Sequence, residues 1–462
     1  MHHAKIDIID DLPPEDVAML QALYSRSPKS VQDHLVKVRA TGSGKFMSQY
    51  YVGYGHKSIG DCGTTSIFIE GLSMLAAKAI QQWPLYSGQE ASTRYMDFSQ
   101  AKCVFETPEE EAIQQRWMSL YRRATEELRT QMMMLHPMTD DMVQKDYDNA
   151  ISARVFDVAR GLLPAGTTTM VSWHTNLRQA DDHLVGLRQH PLTEVADLAN
   201  SVNAKLAAKY SNSFQPTSSG SIAQMEYHSK GHAAFTYGPQ NHVGSTTPTF
   251  HRSVTPRDIP EHLRHLLVCR PPRTPLHREF DRFGQFDFSF ALDFGSYRDL
   301  QRHRNGVLNM PELTPYHFSE WYLNQYSEDV QAALQTILHD LCALPATPHR
   351  QYAVPMGALV PCRYTCGLPQ MLYLAELRSG PTVHPTLRTV AHAAVEHLKR
   401  LFPGISLHAD TSPAEFSVKR GKQTITEKSN FPSLRGSCRD DTAARNTFRF
   451  DRNRTPDMGP GT

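Results

Sequence analysis

Two short groups of polar residues have types and spacings that suit the binding of anions. Ser92 and Arg94, in a loop after a predicted helix, offer a hydroxyl and the planar donor fork of a guanidinium. Arg302, His303 and Arg304 lie on a second predicted helix and offer two more cations and an imidazole. Taken alone, each group also fits a simpler interpretation, a common surface loop and an exposed basic helix face. The choice between anion binding and these simpler interpretations therefore depends on whether the two groups belong to a larger sequence motif.

Composition and charge limit the classes of protein. The 462 residues are 40% hydrophobic and 21% charged, enough for two or three globular domains. The formal net charge of +1 gives no overall attraction to nucleic acid or to an anionic membrane, and neither is expected as a partner. Without a signal-like N-terminus or a long apolar run, we expect a soluble, cytoplasmic protein.

Cysteine spacing does not favour a metal site. Cys362 and Cys366 form the one close pair, and no second pair or suitably spaced histidines complete it. We predict two reduced thiols and no bound metal.

Hydrophobic periodicity predicts the elements that would carry the polar groups. Strands are predicted over Ser58–Phe68 and around the alternating Phe286, Phe288 and Phe290. The predicted helices are Val17–Tyr24, Val31–Val38, Glu70–Gln82, Glu109–Met134, Asn149–Leu163, Pro191–Lys209, Ser296–Arg304, Ser319–Cys342 and Pro385–Phe402.

A weak internal repeat divides the chain. The segment ARGLLPAG (Ala159–Gly166) is followed by Leu187–Arg188, and YAVPMGA (Tyr352–Ala358) is followed after a similar gap by Leu377–Arg378. Each segment comes after a long predicted helix, and each Leu-Arg pair comes before another. This spacing suggests two copies of one unit, with coincidence as the alternative.

The residues from Gln82 to Tyr95 resemble the signature of the flavin-dependent thymidylate synthases. That signature reads Arg-His-Arg, two residues, Ser, one, Asn-Glu, one, Ser, one, Arg-Tyr. The chain departs from its first part, with Gln82-Trp83-Pro84 for Arg-His-Arg and Gln89 for Asn. It matches the second part in register, at Ser87, Glu90, Ser92, Arg94 and Tyr95.

The flanking sequence resembles the same family over about residues 15–212. Gly55-His56, Ser58 and Glu70-Gly71 fit its upstream elements, although the family's Glu-His pair is Asp61-Cys62 here. The downstream matches are Ala159-Arg160, Leu163-Pro164, Asn176, Arg178, His183 and Arg188.

The second copy, about residues 280–404, keeps the complementary part of the signature. It supplies Arg302-His303-Arg304 and places Arg378 where the family has its closing arginine, but it lacks the Ser-x-Arg-Tyr portion. We expect an α+β fold with two tandem units, each a mixed or antiparallel sheet with packed helices. The predicted divisions are a first unit (1–215), a linker and entry segment (216–279), a second unit (280–404) and a polar, disordered tail (405–462).

The resemblance implies an activity and roles for the matched residues. The family methylates dUMP at C5 to give dTMP, with a hydride from reduced FAD, carbon from methylenetetrahydrofolate and NADPH as reductant. The implied substrate-binding residues are Glu90, Ser92, Arg94 and Tyr95, and the implied catalytic residues are Arg188 and Arg160. Those implied for the cofactor are Arg302, His303, Arg304, Ser58, Asn176 and Arg178.

The complementary losses predict one composite site between unlike units. Because the family assembles four units, a chain with two should form a homodimer. Two alternatives remain: a homologue that binds flavin or nucleotide without turnover, and a structural pseudoenzyme. The replacements at Asp61, Cys62, Trp83 and Pro84 also leave open a different nucleotide or one-carbon outcome.

Overall fold

The computed structural model describes residues 7–53, 55–214, 222–235, 244–309, 312–412, 415–420 and 423–428. In chain order the helices are α1 (Pro14–Tyr24), α2 (Val31–Thr41), α3 (Gly44–Phe46), α4 (Met74–Gln81), α5 (Pro108–Leu135), α6 (Gln144–Ala159), α7 (Leu177–Leu187), α8 (Thr193–Lys209), α9 (Ile222–Phe235), α10 (Glu261–Val268), α11 (Phe294–Leu300), α12 (Glu320–Leu323), α13 (Glu328–Ala343), α14 (Leu368–Arg378) and α15 (Pro385–Leu401). The strands are β1 (Thr64–Ser73), β2 (Ser87–Glu90), β3 (Thr168–Asn176), β4 (Thr249–Arg252), β5 (Gln285–Asp293), β6 (Val307–Leu308), β7 (Leu359–Gly367), β8 (Glu415–Arg420) and β9 (Gln423–Lys428).

The described residues form two compact units. Unit 1 comprises Met1–Ala91 and Thr169–Gly238, and unit 2 comprises Ser92–Thr168 and Pro239–Thr462. Each unit contains a small sheet with packed helices, which confirms the predicted α+β class. The units do not follow the predicted sequential boundaries, because α5 and α6 pack in unit 2, α5 against α13. The division into two sequence copies stays a prediction.

Unit 1 is built on the three-stranded sheet β1-β3-β2, in which β2 runs antiparallel to β3. The predicted strand Ser58–Phe68 is wrong at its start, because Lys57–Cys62 forms a 3-10 turn and β1 begins at Thr64. The predicted helix Glu70–Gln82 likewise begins late, at Met74. The reason is local: Gly71 has a φ of +79°, and the Ser73 hydroxyl accepts a hydrogen bond from the Ala76 amide (2.9 Å) and so caps α4.

Unit 2 is built on the sheet β4-β5-β7-β6, in which each strand runs antiparallel to its neighbours. Strand β5 pairs with β7 along its whole length, from Gln285 opposite Gly367 to Asp293 opposite Leu359. The alternating Phe286, Phe288 and Phe290 are buried, which confirms the strand predicted from them.

Each sheet passes a strand directly into a capped helix. In unit 1, Ser73 ends β1, and its hydroxyl and amide donate to the Glu194 carboxylate at 2.6 and 2.7 Å. In unit 2, Asp293 ends β5 and caps α11 through the Ser296 amide (2.8 Å), while the Thr386 hydroxyl donates to its carboxylate. In each contact a hydroxyl donates to a carboxylate. The residue that ends the strand supplies the hydroxyl in unit 1 (Ser73) and the carboxylate in unit 2 (Asp293).

The two repeated segments found in the sequence pair with each other inside unit 2. Their backbone hydrogen bonds are reciprocal about Pro164 and Pro355, which form an isolated antiparallel bridge. The four bonds are Ala165 N to Val354 O, Met356 N to Leu163 O, Gly166 N to Tyr352 O and Gly357 N to Gly161 O, all between 2.7 and 2.8 Å. When the segments are aligned on the two prolines, each bond has its counterpart with the roles exchanged.

The long periodic segments were predicted well, and errors fall where local capping decides. The helices predicted over Glu109–Met134, Pro191–Lys209 and Pro385–Phe402 are confirmed as α5, α8 and α15 within a few residues. The helix predicted over Ser319–Cys342 is divided into α12 and α13, because the Ser327 hydroxyl accepts from the Val330 amide and starts a new helix. The helix predicted over Ser296–Arg304 ends at Leu300, so Arg302, His303 and Arg304 lie in the following turn.

Part of the predicted disordered tail is ordered. Arg270, 7% exposed, donates through Nη2 to the Ser406 carbonyl (2.8 Å), and the Asp410 amide donates to the Ser379 hydroxyl (2.9 Å). Strands β8 and β9 form an antiparallel pair in contact with α6. The contacts of Arg270 and Asp410 are polar, so the hydrophobic pattern does not report them. Residues 429–462 of the predicted tail lie outside the described residues.

Within the described part of the chain, no helix is long and apolar enough to cross a membrane.

We expect Arg270→Ala to lower the free energy of unfolding by about 3 kcal/mol. The change removes donors from the Thr274 and Ser406 carbonyls and leaves the Glu376 carboxylate, 19% exposed, without its ion-pair partner. Urea denaturation measures the effect, with exposed Arg257→Ala as the matched control. Equal stability of the two variants would contradict the anchoring role of Arg270.

Candidate functional site

Arg94 is fixed by a tight turn and by a carboxylate. The turn is closed by the Tyr95 amide, which donates to the Ser92 carbonyl (3.2 Å), while the Ser92 hydroxyl accepts weakly from the Arg94 amide (3.4 Å). Arg94 contacts Asp157 of α6 through Nε, and through Nη2 at 2.8 Å, in a bidentate ion pair. Burial lowers the pKa of Arg94, but the Asp157 carboxylate more than offsets it and the net shift is upward. Nη1 of Arg94 has no partner among the described residues.

Arg160 follows α6 and is only 2% exposed. Its Nε donates to the Tyr322 hydroxyl (3.1 Å), its Nη2 to the Ser296 hydroxyl (3.3 Å), and its Nη1 lies 3.6 Å from the Asp299 carboxylate. A buried guanidinium needs such partners, since an isolated charge in the interior is strongly destabilising. The three partners all come from the second half of the sequence.

A buried polar network supports these partners of Arg160. The Tyr322 hydroxyl lies 3.3 Å from the Asp293 carboxylate and 3.2 Å from Nε2 of His384, while Nδ1 of His384 lies 2.9 Å from the Thr386 hydroxyl. Burial raises the pKa of Asp293, and the Arg160 charge opposes that shift. Sequence analysis missed Tyr322, His384 and Asp293, because no local spacing marks them.

His303 holds Arg378 rather than facing solvent. It is 4% exposed, and its Nε2 accepts from Nε of Arg378 at 2.8 Å. The amide nitrogen of the Gln370 side chain lies 3.0 Å from Nδ1. Burial lowers the pKa of His303 to about 3, with the Arg378 charge as the next cause. His303 is thus a neutral positioning residue for Arg378.

The charges of four guanidiniums act on the Asp299 carboxylate, and we call this set, Arg94, Arg160, Arg302 and Arg378, the arginine cluster. Burial would raise the pKa of Asp299, but these four charges lower it to about 2. Burial lowers the pKa of Arg378, and the like charges of Arg302 and Arg94 act in the same direction. Arg302 is exposed and has no hydrogen bond or ion pair with any described residue. Such a cluster can bind an anionic group.

One more arginine reaches the same loop. Arg298 of α11 donates through Nη1 to the Thr93 hydroxyl (3.1 Å), between Ser92 and Arg94. Tyr95 is 46% exposed, and Arg304 is partly buried in the turn that carries Arg302. Unit 2 therefore brings together Ser92, Arg94, Arg160, Arg302 and His303 from the predicted site.

The remaining predicted site residues, Ser58, Glu90, Asn176, Arg178 and Arg188, belong to unit 1. Glu90 is buried there and accepts from Nζ of Lys78 (2.5 Å) and from Nε2 of Gln81 (2.9 Å). Because protein cations satisfy this carboxylate, its contacts are those of a structural ion pair. Its predicted substrate-binding role stays a prediction.

The predicted flavin residues of unit 1 are bonded to protein groups. Ser58 is exposed in a 3-10 turn, and Asn176 caps α7 by accepting from the Gln179 amide (2.8 Å). Arg178 forms an ion pair with Asp61 at 2.7 Å. Burial lowers the pKa of Arg188, an effect that Asp181 opposes. Their predicted roles in binding and catalysis remain untested by these contacts.

Trp83 and His303 occupy matching positions. Each lies ten residues after the residue that caps its helix, Ser73 or Asp293. The Trp83 indole donates to Gln179 (2.9 Å), and His303 contacts Gln370. The two glutamines also match in position, because each is the third residue of its helix, α7 or α14. In unit 1, Trp83 also stacks on His183, with ring centroids 4.6 Å apart.

The cysteines predicted as reduced thiols are free. Cys362 and Cys366 are buried in β7, and burial raises the pKa of both thiols. The described ranges contain no group of three or more His, Cys, Asp or Glu side chains placed to hold a metal ion.

The fold and the cluster define an α+β protein with an arginine-rich site suited to anions. The family model described as thymidylate synthase complementing protein matches residues 7–210. Over those residues the resemblance inferred from the sequence is confirmed.

Curated relatives match more of the chain than the family model does. UPF0159 proteins are 23% identical over 411 residues in Chlamydia pneumoniae and 24% over 399 residues in Chlamydia muridarum. These alignments cover 76% and 73% of this chain, and 77% and 75% of the relatives. A UPF0159 protein of Thermoplasma acidophilum is 22% identical and covers 85% of this chain and 94% of its own length.

Two solved structures of thymidylate synthase X from Helicobacter pylori, both with FAD and dUMP, are also similar. Each is 17% identical and covers 44% of this chain, with 93% and 94% of its own length and TM-scores of 0.27 and 0.29. At this level of similarity the two structures add nothing to the assignment.

We expect stability to fall as the pH drops from 6.5 towards 4, because His183 and His303 are buried. Burial lowers the pKa of His183 to about 4 and that of His303 to about 3. Below pH 6.5 the unfolded chain binds protons that the folded protein does not, so each histidine lowers the unfolding free energy by up to about 2 kcal/mol at pH 5. Urea denaturation at pH 7 and pH 5 measures this loss.

His183→Gln should show a smaller loss of stability between these pH values than the parent. The amide can keep a bond to the Ile80 carbonyl, 2.9 Å from the imidazole, without titrating. His339→Gln, at a side chain that is 73% exposed, should retain the parental loss. A parental loss in His183→Gln as well would show that this residue is not the source.

Proposed function

We propose that the chain is a flavin-dependent enzyme that methylates a pyrimidine nucleotide such as dUMP at C5. A related one-carbon alkylation at the same carbon belongs to the same proposal. The proposed site is the arginine cluster of unit 2, formed by residues from both halves of the sequence. The match of the family model to residues 7–210 supports the reaction class.

One observation carries the proposal: unit 2 contains the two complementary parts of the signature in one cluster. Arg94 belongs to the Ser-x-Arg-Tyr part, and Arg302 to the Arg-His-Arg part. The charges of both act on the carboxylate of Asp299, together with those of Arg160 and Arg378. Each sequence copy lost one part of the signature, yet one complete set remains.

The residues present fit a cofactor that carries a pyrophosphate. The four guanidiniums of the cluster exceed the carboxylates that pair with them, Asp157 and Asp299, by two charges. Arg302, exposed and unpaired among the described residues, and neighbouring Arg304 would hold the pyrophosphate of FAD. Ser92 and Nη1 of Arg94 would bind the phosphate of the nucleotide. When bound, the flavin would supply the hydride, so the protein needs no nucleophilic thiol.

Arg160 is suited to a supporting electrostatic role. Its guanidinium stays charged in a nearly dry environment, where its field is weakly screened. Its hydrogen bonds to Tyr322 and Ser296 fix that charge next to the cluster before any ligand binds. The carbon donor would be methylenetetrahydrofolate and the reductant NADPH, as in the family.

Repeated contacts support the tandem origin of the composite site. The reciprocal bonds about Pro164 and Pro355, the exchange of hydroxyl and carboxylate at Ser73 and Asp293, and the glutamine contacts of Trp83 and His303 all recur at matching positions. Three independent matches of this kind are difficult to explain by coincidence. The copy with Trp83 has replaced the arginines that would bind flavin by an aromatic contact.

Arg302→Ala should weaken FAD binding about tenfold or more. The variant loses a charge-assisted hydrogen bond to the cofactor, which contributes about 1.5–3 kcal/mol, whereas Arg302 has no hydrogen bond or ion pair with the described residues to lose. Arg94→Lys should instead weaken dUMP binding, because lysine keeps a charge for Asp157 but not the planar fork. Flavin retained through desalting and dUMP titration measure the two effects.

Exposed Arg278→Ala is the matched control and should behave as the parent. Equal retention of flavin in a yellow parent and in Arg302→Ala would mean that the flavin binds elsewhere. A yellow protein that does not turn over reduced flavin, folate and dUMP would favour the binding homologue, and a colourless one the structural pseudoenzyme.

We also propose a homodimer, since two family-like units per chain and four per family assembly require two chains. Light scattering should return twice the chain mass of 52.1 kDa. A clean monomer would contradict this part of the proposal.

A further inference from the structure

We propose that Asp299 determines the specificity of the arginine cluster by acting as an internal counter-ion that a phosphate-bearing ligand must displace. The inference rests on the proposed function only in taking the cluster as a phosphate-binding site. It assigns a role to Asp299, which lies outside the matched signature and whose negative charge repels an anionic ligand.

The position of Asp299 supports this role. Nη1 of Arg160 lies 3.6 Å from its carboxylate, and Nη2 of Arg378 donates to its backbone carbonyl at 2.9 Å. These two contacts hold the residue between arginines from both halves of the sequence. The charges of Arg94 and Arg302 act on the same carboxylate.

Accessibility separates Asp299 from the other carboxylates of the region. The Asp157 side chain is 1% exposed and is bonded to Arg94, and Asp293 is fully buried against Tyr322 and Thr386. Both are therefore structural partners. Asp299 is 21% exposed, so it is the carboxylate of the three that a dissolved anion can reach and replace.

The physical consequence is competition between two kinds of anion. A phosphate bound by Arg94 and Arg302 lies in the field of the Asp299 carboxylate, which interacts with the charges of both arginines, and is repelled by it until the carboxylate moves aside. The penalty grows with the charge of the ligand, so it is larger for pyrophosphate or a nucleotide monophosphate than for an uncharged nucleoside. Asp299 thus keeps the cluster from binding small phosphates tightly and favours ligands with further contacts.

The test is the affinity of the full chain for inorganic pyrophosphate, measured by calorimetry without flavin or nucleotide. Asp299→Asn removes the charge, keeps the shape, and should bind pyrophosphate about tenfold more tightly than the parent. Deoxyuridine, which has no phosphate, should bind parent and variant equally. Asp287→Asn is the matched control, because Asp287 also pairs with an arginine, Arg363, in unit 2 but lies outside the cluster.

Three outcomes would overturn the proposal. Pyrophosphate affinity that is unchanged or weaker in Asp299→Asn would make Asp299 a support for Arg160. No binding by either protein would mean that the cluster is not an anion site. An equal gain in Asp299→Glu, which keeps the charge, would assign the effect to packing.

Thermal denaturation is a second measurement, for the case that Asp299→Asn is destabilised. If Asp299→Asn is too unstable for calorimetry, its Tm should still rise more with pyrophosphate than that of the parent, since ligand binding stabilises the folded state. A rise no larger than the parental one would count against the proposal. A colourless protein that shows the gain would refute the proposed flavin chemistry and leave this inference standing.

Discussion

The burial of Arg160 is the constraint on which unit 2 depends. A guanidinium that is 2% exposed is tolerated only when the protein itself meets its charge and its donors. Arg160 comes from the first half of the sequence, and Tyr322, Ser296 and Asp299 come from the second half. Neither half could fold around this charge alone, so the segment containing α5 and α6 is committed to unit 2. The convergence of arginines follows from folding and is in place before any ligand arrives.

Under the proposed tandem origin, each of two related copies within one chain is free from the symmetry of a homo-oligomer. Where the backbone makes the contacts, as about Pro164 and Pro355, the reciprocal pattern has persisted although the side chains differ. Where side chains make the contacts, the matched positions differ: Trp83 stacks on His183, whereas His303 orients Arg378. In a homo-oligomer, a substitution that removes the arginines from one site removes them from all sites. A tandem chain can lose them in one copy and keep them in the other.

Much of the fold was predictable, because its longest elements have strong periodic patterns. Helices α5, α8 and α15 and the alternating phenylalanines of β5 followed from spacing alone, whereas single residues such as Gly71, Ser73 and Ser327 moved the boundaries. In the arginine cluster, the family resemblance indicated Arg94, Arg160 and Arg302, whose roles stay a prediction. It did not locate Asp157, Asp299 or Tyr322, because their roles arise from contacts between residues far apart in the sequence. A matched motif also does not reveal burial, which makes His303 a support for Arg378.

The exchange of hydroxyl and carboxylate between Ser73–Glu194 and Asp293–Thr386 restricts how the two copies can vary. Each contact forms because one side chain donates a hydrogen bond and the other accepts it, whichever of the two ends the strand. Transplanting a single residue from one copy to its counterpart would bring two carboxylates together, or two hydroxyls with no anion to bind. Only a double replacement preserves the contact, so these positions are inherited as linked pairs. Segments of the two units are therefore not interchangeable at these positions.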